Sequence, residues 1–249
     1  MTSVAGVETV QTSGDRVGPE GPMDVTSRRD LLLIALTVAS GAVDAISYFG
    51  LGKIFSAFMT GNIVFLGFGI AELEGPDVVP VVFALSMFAV GSYLGLRITA
   101  RWTQGHGLWP RSASFVLVFV AIAEAGFLAV WSAAAGRPSP SITDVLIALF
   151  SIAMGLQTAA VRSLGVLGVF TTAATFTLVA FAGTFAGSRS RSEIPRLAGV
   201  LVGLVAGAVA GGLLFLHARS YAPVMPLAIT IAVILLGWRL DSRRLSTGR

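Results

Sequence analysis

The chain has 249 residues, of which 12% are Asp, Glu, Lys or Arg and 55% are hydrophobic, with 29 glycines and a mean hydropathy of +0.84. A soluble domain of ordinary composition carries about 25% charged residues, so this chain has too little charge to cover a soluble globule and far too much apolar content for disorder. With no cysteine there are no disulfides, thiolate metal sites or cysteine nucleophiles, and two histidines leave little for a metal centre; the net charge of +4 sits on arginines between apolar runs, which points to a membrane surface and away from nucleic acid.

Residues 1–29 are polar and lack an apolar h-region, so they read as a disordered cytoplasmic tail ending at Arg28-Arg29 and not as a cleaved secretory signal. Eight apolar runs follow, at 30–49, 54–71, 78–100, 113–135, 142–161, 167–187, 197–216 and 222–238. Several reach the roughly 20 residues that cross a hydrocarbon core at about 1.5 Å per residue. Backbone groups in lipid must satisfy themselves, and no run alternates with period two, so these are helices and not barrel strands. The connections are polar or helix-breaking at 72–77, 101–111 (which holds His106), 136–140 and 188–196, and 241–249 is a basic tail. Trp102, Trp109, Trp131 and Trp238 lie near helix ends, where aromatic anchors sit at the membrane interface.

The order of motifs repeats once. Ser40-Gly-Ala-Val-Asp44, Leu51-Gly52 and Met59-Thr-Gly-Asn62 are followed about 115 residues later by Met154-Gly-Leu-Gln157, Leu164-Gly165 and a threonine-rich stretch. Gly91 and Gly95 correspond to Gly207 and Gly211, and each pair precedes an Ala-Arg, at Arg101 and Arg219. With Gly203, these small-xxx-small patterns read as helix packing. The chain therefore divides into a tail, a first membrane repeat at 30–135, a second at 142–240 and the basic tail. Internal repeats of this kind are typical of transporters.

If all eight runs cross and the amino terminus is cytoplasmic, 11 of the 17 Lys/Arg lie inside. If 54–71 and 167–187 are re-entrant or broken and six segments cross, 14 of 17 lie inside and only Lys53, Arg137 and Arg219 lie outside. The positive-inside rule selects six crossings, which makes the repeats inverted; plain hydropathy favours eight with parallel repeats.

Few polar side chains lie within the spans. Asp44 is the sharpest, since a carboxylate at a helix centre costs roughly 2.5–3.5 kcal/mol on insertion scales. A cation, a proton or an arginine must offset this cost, and Arg162, near the corresponding place in the second repeat, is a concrete partner. The alternatives are a structural ion pair locking the repeats and a group coupled to transport. Thr60, Gly61 and Asn62 place a hydroxyl, a break and an amide in one segment, and Thr171, Thr172, Thr175 and Thr177 sit at the equivalent depth. These residues and Gln157 read as a polar lining at the repeat interface or as interhelical hydrogen bonding. Glu124 is the second carboxylate within a span. No P-loop, HExxH or GxSxG occurs, Lys53 is the only lysine, and no convergent nucleophile and base suggest an enzyme.

Ser40-Gly-x-x-Asp44-Ala-x-Ser47-Tyr48 with Leu51-Gly52 and Met59-Thr-Gly-Asn62 resembles the first signature of the YoaK-like family, a group of bacterial and fungal integral membrane proteins without an established function. Met154-Gly-Leu-Gln157-x-Ala-x-x-Arg162 and Thr171-Thr172 resemble its second signature. The resemblance covers residues 30–240 and implies about six spans. It departs at Phe176, where the family pattern has glycine; a ring there is expected to fill a gap or block a close contact, which puts a break in segment six in doubt.

The expectation is an all-α integral membrane protein of two related four-segment repeats, with eight apolar helices of which six span. Its function is that of a small-solute transporter or channel-like permease. The site comprises Asp44, Ser47, Tyr48, Thr60, Gly61, Asn62, Glu124, Gln157, Arg162, Thr171, Thr172, Thr175 and Thr177. The alternative is a non-transporting membrane scaffold or partner subunit in which these residues are structural. No cofactor or metal is called for. The partners are the lipid bilayer and a small-molecule or ion substrate, homo-oligomers are compatible with the sequence, and the expected location is the plasma membrane with both termini cytoplasmic.

Overall fold

The computed structural model describes residues 22–101, 109–166, 169, 171–172 and 174–247, and among these it is all-helical. In chain order the helices are α1 (Pro22–Gly50), α2 (Met59–Ile70), α3 (Val78–Arg101), α4 (Arg111–Ala133), α5 (Pro140–Ser163), α6 (Ala174–Phe185), α7 (Ile194–His217) and α8 (Val224–Thr247). Short 3-10 turns at Arg191–Glu193 and Arg219–Tyr221 lead into α7 and α8. Local chemistry marks the boundaries. Pro140 and Pro195 occupy first-turn positions, where a missing N–H costs nothing. After α1, Gly52 and Lys53 both take positive φ, at 90° and 64°, and reverse the chain.

Helices α1, α3, α4, α5, α7 and α8 are long and apolar enough to cross a membrane. The 12-residue α2 and α6 reach only about 18 Å, against a hydrocarbon core of about 30 Å. Contacts between helix ends show the same six-crossing path. At one end Asp30 of α1 pairs with Arg196 of α7 at 3.8 Å, and Trp109, just before α4, packs on Gly237 of α8. At the other end Gly50, Asp77 and Pro140 border one cleft, and Trp131 Nε1 donates to the Arg219 carbonyl at 2.8 Å. Eight crossings would put Gly50 and Asp77 on opposite faces.

The two halves interleave. Helix α1 packs on α7, and α3 packs on α5, through glycines that let backbones approach. Gly41 faces the α7 backbone at Leu204 and Ala208, while Gly155 faces the α3 backbone at Phe88 and Ser92. Gly207 lies on Val38 and Gly211 on Ala42; in the same register, Gly91 lies on Ile152 and Gly95 on Leu156 and Ala159. Each half contributes three crossings, an odd number, so the halves run in opposite senses through the membrane. Helices α4 and α8 pack against each other and against α5 and α1. Stacked Phe127 and Phe150 with Trp131 form part of the core.

Three expectations change. Helix α1 begins at Pro22 and α8 runs to Thr247, so 22–29 and 241–247, read as tail, are helical: hydropathy stops at the membrane surface but backbone hydrogen bonding does not. Residues 1–21 and His106 lie outside the described residues. Phe176 is 65% exposed, and with it in place α6 is as short as α2.

Candidate functional site

The reversal at Gly52-Lys53 sends residues 54–58 back along α1. The N–H groups of Ser56, Ala57 and Phe58 donate to Asp44 Oδ1 at 3.0, 2.7 and 3.3 Å. Asp44 lies six residues before the end of α1, so the segment re-enters the bundle by about 9 Å. It then turns into α2 at Met59, which puts the carboxylate at a helix N-terminus, where backbone donors lack partners and the dipole favours negative charge. These charge-assisted bonds offset the cost of an intramembrane carboxylate. The proposed Asp44–Arg162 pair does not form. Arg162 is exposed in the last turn of α5. Because the halves are inverted, equivalent positions near the ends of α1 and α5 lie at opposite faces of the bundle.

The rest of the first signature shapes this hairpin. Asn62 is fully buried, accepts from Phe55 N–H at 3.0 Å and donates to the Phe55 carbonyl at 2.6 Å. Ser47 and Ser56 share a hydroxyl hydrogen bond of 2.7 Å, and Tyr48 stacks on Phe55 with centroids 5.2 Å apart. Gly61 leaves room for the rings of Phe55 and Phe58, which a Cβ would strike. Thr60 points away and is exposed.

The second hairpin is held by α5. Thr158 and Thr172 hydroxyls bond at 2.9 Å, and Gln157 Nε2 donates to the Leu36 carbonyl at 3.2 Å and to Thr171 Oγ1 at 3.4 Å. Thr177 is fully buried on α6, in register with Asn62 on α2.

Between the two hairpins lies a cavity of about 410 Å³, bounded by α1 and α7 and lined by Asp44, Phe55 and Phe58 from one side and Thr172, Thr175 and Leu178 from the other. Ser40 also borders it, one turn from Asp44; its hydroxyl is buried and has no partner among the described residues. Asp44 Oδ2 makes no hydrogen bond among them either. Of the residues selected from sequence, the structure thus gathers Asp44, Thr172 and Thr175 at the cavity. Ser47, Tyr48, Gly61, Asn62, Gln157 and Thr171 stand behind it, in or against the hairpins.

A model of the family described as protein of unknown function (DUF1275) matches residues 32–236, which include every one of these side chains. The chain belongs to the DUF1275 family. It is similar to the UPF0700 transmembrane protein YoaK of Bacillus subtilis (strain 168), with 34% identity over 156 residues, 63% of this chain and 67% of that one. No solved structure matches.

Glu124 stands apart from the cavity of this DUF1275 member. It is fully buried on α4, and neither carboxyl oxygen has a hydrogen-bond partner among the described residues. Thr230 of α8 lies alongside without hydrogen-bond geometry, and its hydroxyl is also unpartnered. Sequence reading missed Thr158, Ser40 and the two phenylalanines. Thr158 was detectable, because aligning Gly41 with Gly155 places it opposite Asp44. Phe55 and Phe58 carried no signal among so many apolar residues.

Proposed function

We propose that this multi-pass membrane protein is a small-solute permease whose binding site is the cavity between the hairpins. The observation that carries the proposal is Asp44 Oδ2, without a hydrogen bond among the described residues, beside a cavity of about 410 Å³ that both re-entrant segments line. Small-molecule sites commonly span about 300–1,000 Å³, mostly apolar with a few placed polar groups. Broken helices of two inverted halves meeting within the membrane are the arrangement in which secondary transporters hold substrate. The face bearing 14 of the 17 Lys/Arg is the cytoplasmic one in this reading, which puts both termini inside and the protein in the plasma membrane.

The cysteine-free chain permits a direct test. Leu204→Cys and Thr175→Cys, made singly, are exposed in sealed vesicles to a charged, membrane-impermeant thiol reagent. Modification from a water phase supports the permease. Complete protection from both sides refutes it and leaves the scaffold reading, which the use of Asn62 and Asp44 Oδ1 on backbone groups favours.

A further inference from the structure

We infer that the solute is a small organic monocation, an ammonium head on an apolar body. The inference rests on the permease site above and adds its chemistry. Among the described residues the cavity is bordered by one carboxylate and by no Lys, Arg or His. Asp44 Oδ1 already accepts three N–H groups, so the acceptor left at the wall is Oδ2. Ser40 lies at i−4 from Asp44, on the same face of α1, and its buried, unpartnered hydroxyl supplies a second acceptor. Two neighbouring acceptors want a ligand that donates several hydrogen bonds, which an ammonium does. A carboxylate or phosphate ligand would face Asp44 with no cationic side chain to compensate it.

The remaining wall suits the rest of such a molecule. Phe55 and Phe58 meet edge to face with centroids 5.3 Å apart, and aromatic faces attract cations within about 6 Å when water is excluded. Leu178 and Leu204 give the opposite wall an apolar lining that selects a hydrocarbon body.

The test uses the purified full-length protein in detergent and three probes with one hydrocarbon body: n-hexylamine, 1-hexanol and hexanoate. Thermal unfolding is followed by tryptophan fluorescence, since a ligand of the native state raises its midpoint. The expected result is a saturable upward shift with the amine and none with the alcohol or the acid. Thr175→Lys, at an exposed position on the cavity rim, places a competing cation there without disturbing the Asp44 anchor, and is expected to abolish the shift. Asp44→Asn is expected to reduce it at least tenfold in apparent affinity. An equal shift with hexanoate, no shift with the amine, or an amine shift that survives both substitutions overturns the assignment. Flux measurements separate this claim from the one beneath it: amine binding without amine flux into vesicles refutes the permease and keeps the ligand class. Flux of a neutral or anionic solute that the amine does not compete keeps the permease and refutes the ligand class.

Discussion

Truncating Asp44 tests the hairpin anchor most directly. In the native protein one oxygen accepts three backbone N–H groups, two of them at 2.7 and 3.0 Å and one at 3.3 Å. Hydrogen bonds to a charged group contribute about 1.5–3 kcal/mol each, and donors left unpaired in a dry site cost about 1–3 kcal/mol each. Taking about 1.5–2 kcal/mol for each of the three shared bonds gives a loss of about 4.5–6 kcal/mol. Removing the intramembrane carboxylate returns about 2.5–3.5 kcal/mol. Asp44→Ala is therefore expected to destabilise the hairpin by about 1–3.5 kcal/mol, and Asp44→Asn, which keeps a neutral acceptor in place, by under about 1 kcal/mol. The assay is hydrogen exchange of the amides at 56–58. At about 1.4 kcal/mol per factor of ten, protection in the alanine variant falls roughly 5- to 300-fold, with a smaller fall for asparagine. Unchanged protection of these amides in Asp44→Ala refutes the anchor, because it means that something other than the carboxylate holds them.

Gly207→Ala places a methyl against the Val38 backbone and is expected to cost about 1–3 kcal/mol or more in thermal stability. Gly212→Ala, whose nearest neighbour is 4.0 Å away, should be neutral or stabilising by up to about 1 kcal/mol; equal effects of the two would contradict the interleaved packing. Glu124→Leu replaces a buried carboxyl that has no hydrogen bond among the described residues, so unfolding in detergent should show stability unchanged or raised by about 1–3 kcal/mol. A large loss there would reveal a partner for Glu124. Cysteines at Lys53, Glu74 and Arg137 should all label from one membrane face, whereas eight crossings would put Lys53 on the opposite side from Glu74 and Arg137.

The spans were legible because apolar length needs no knowledge of partners. The choice of six came from arginine positions, and contacts such as Trp109 on Gly237 show the same path. The glycine register was legible too, since close backbone approach demands small residues at fixed spacing: Gly91 and Gly207 serve in equivalent crossings. What satisfies Asp44 was not legible. Its partners are main-chain N–H groups, which every residue but proline carries, so no residue type announces them. Arg162 misled for a related reason: correspondence along the chain was read as proximity, but inversion carries corresponding positions to opposite faces. Asn62 was found, though as a lining group; its short bonds to Phe55 depend on a turn whose shape only the positive φ of Gly52 and Lys53 makes visible.

The glycine seam between α1 and α7 also bears on synthesis. Gly41 emerges from the ribosome long before Gly207, the residue whose helix covers α1. At about 5–20 residues per second the wait lasts on the order of ten to thirty seconds. During that interval the first helix sits in the bilayer with its small-residue face against lipid, and Asp44 depends on its own hairpin for neutralisation. The anchor closes over twelve to fourteen residues, while the seam needs the far half of the chain. Early local closure thus keeps an acidic helix inserted until its distant partner arrives.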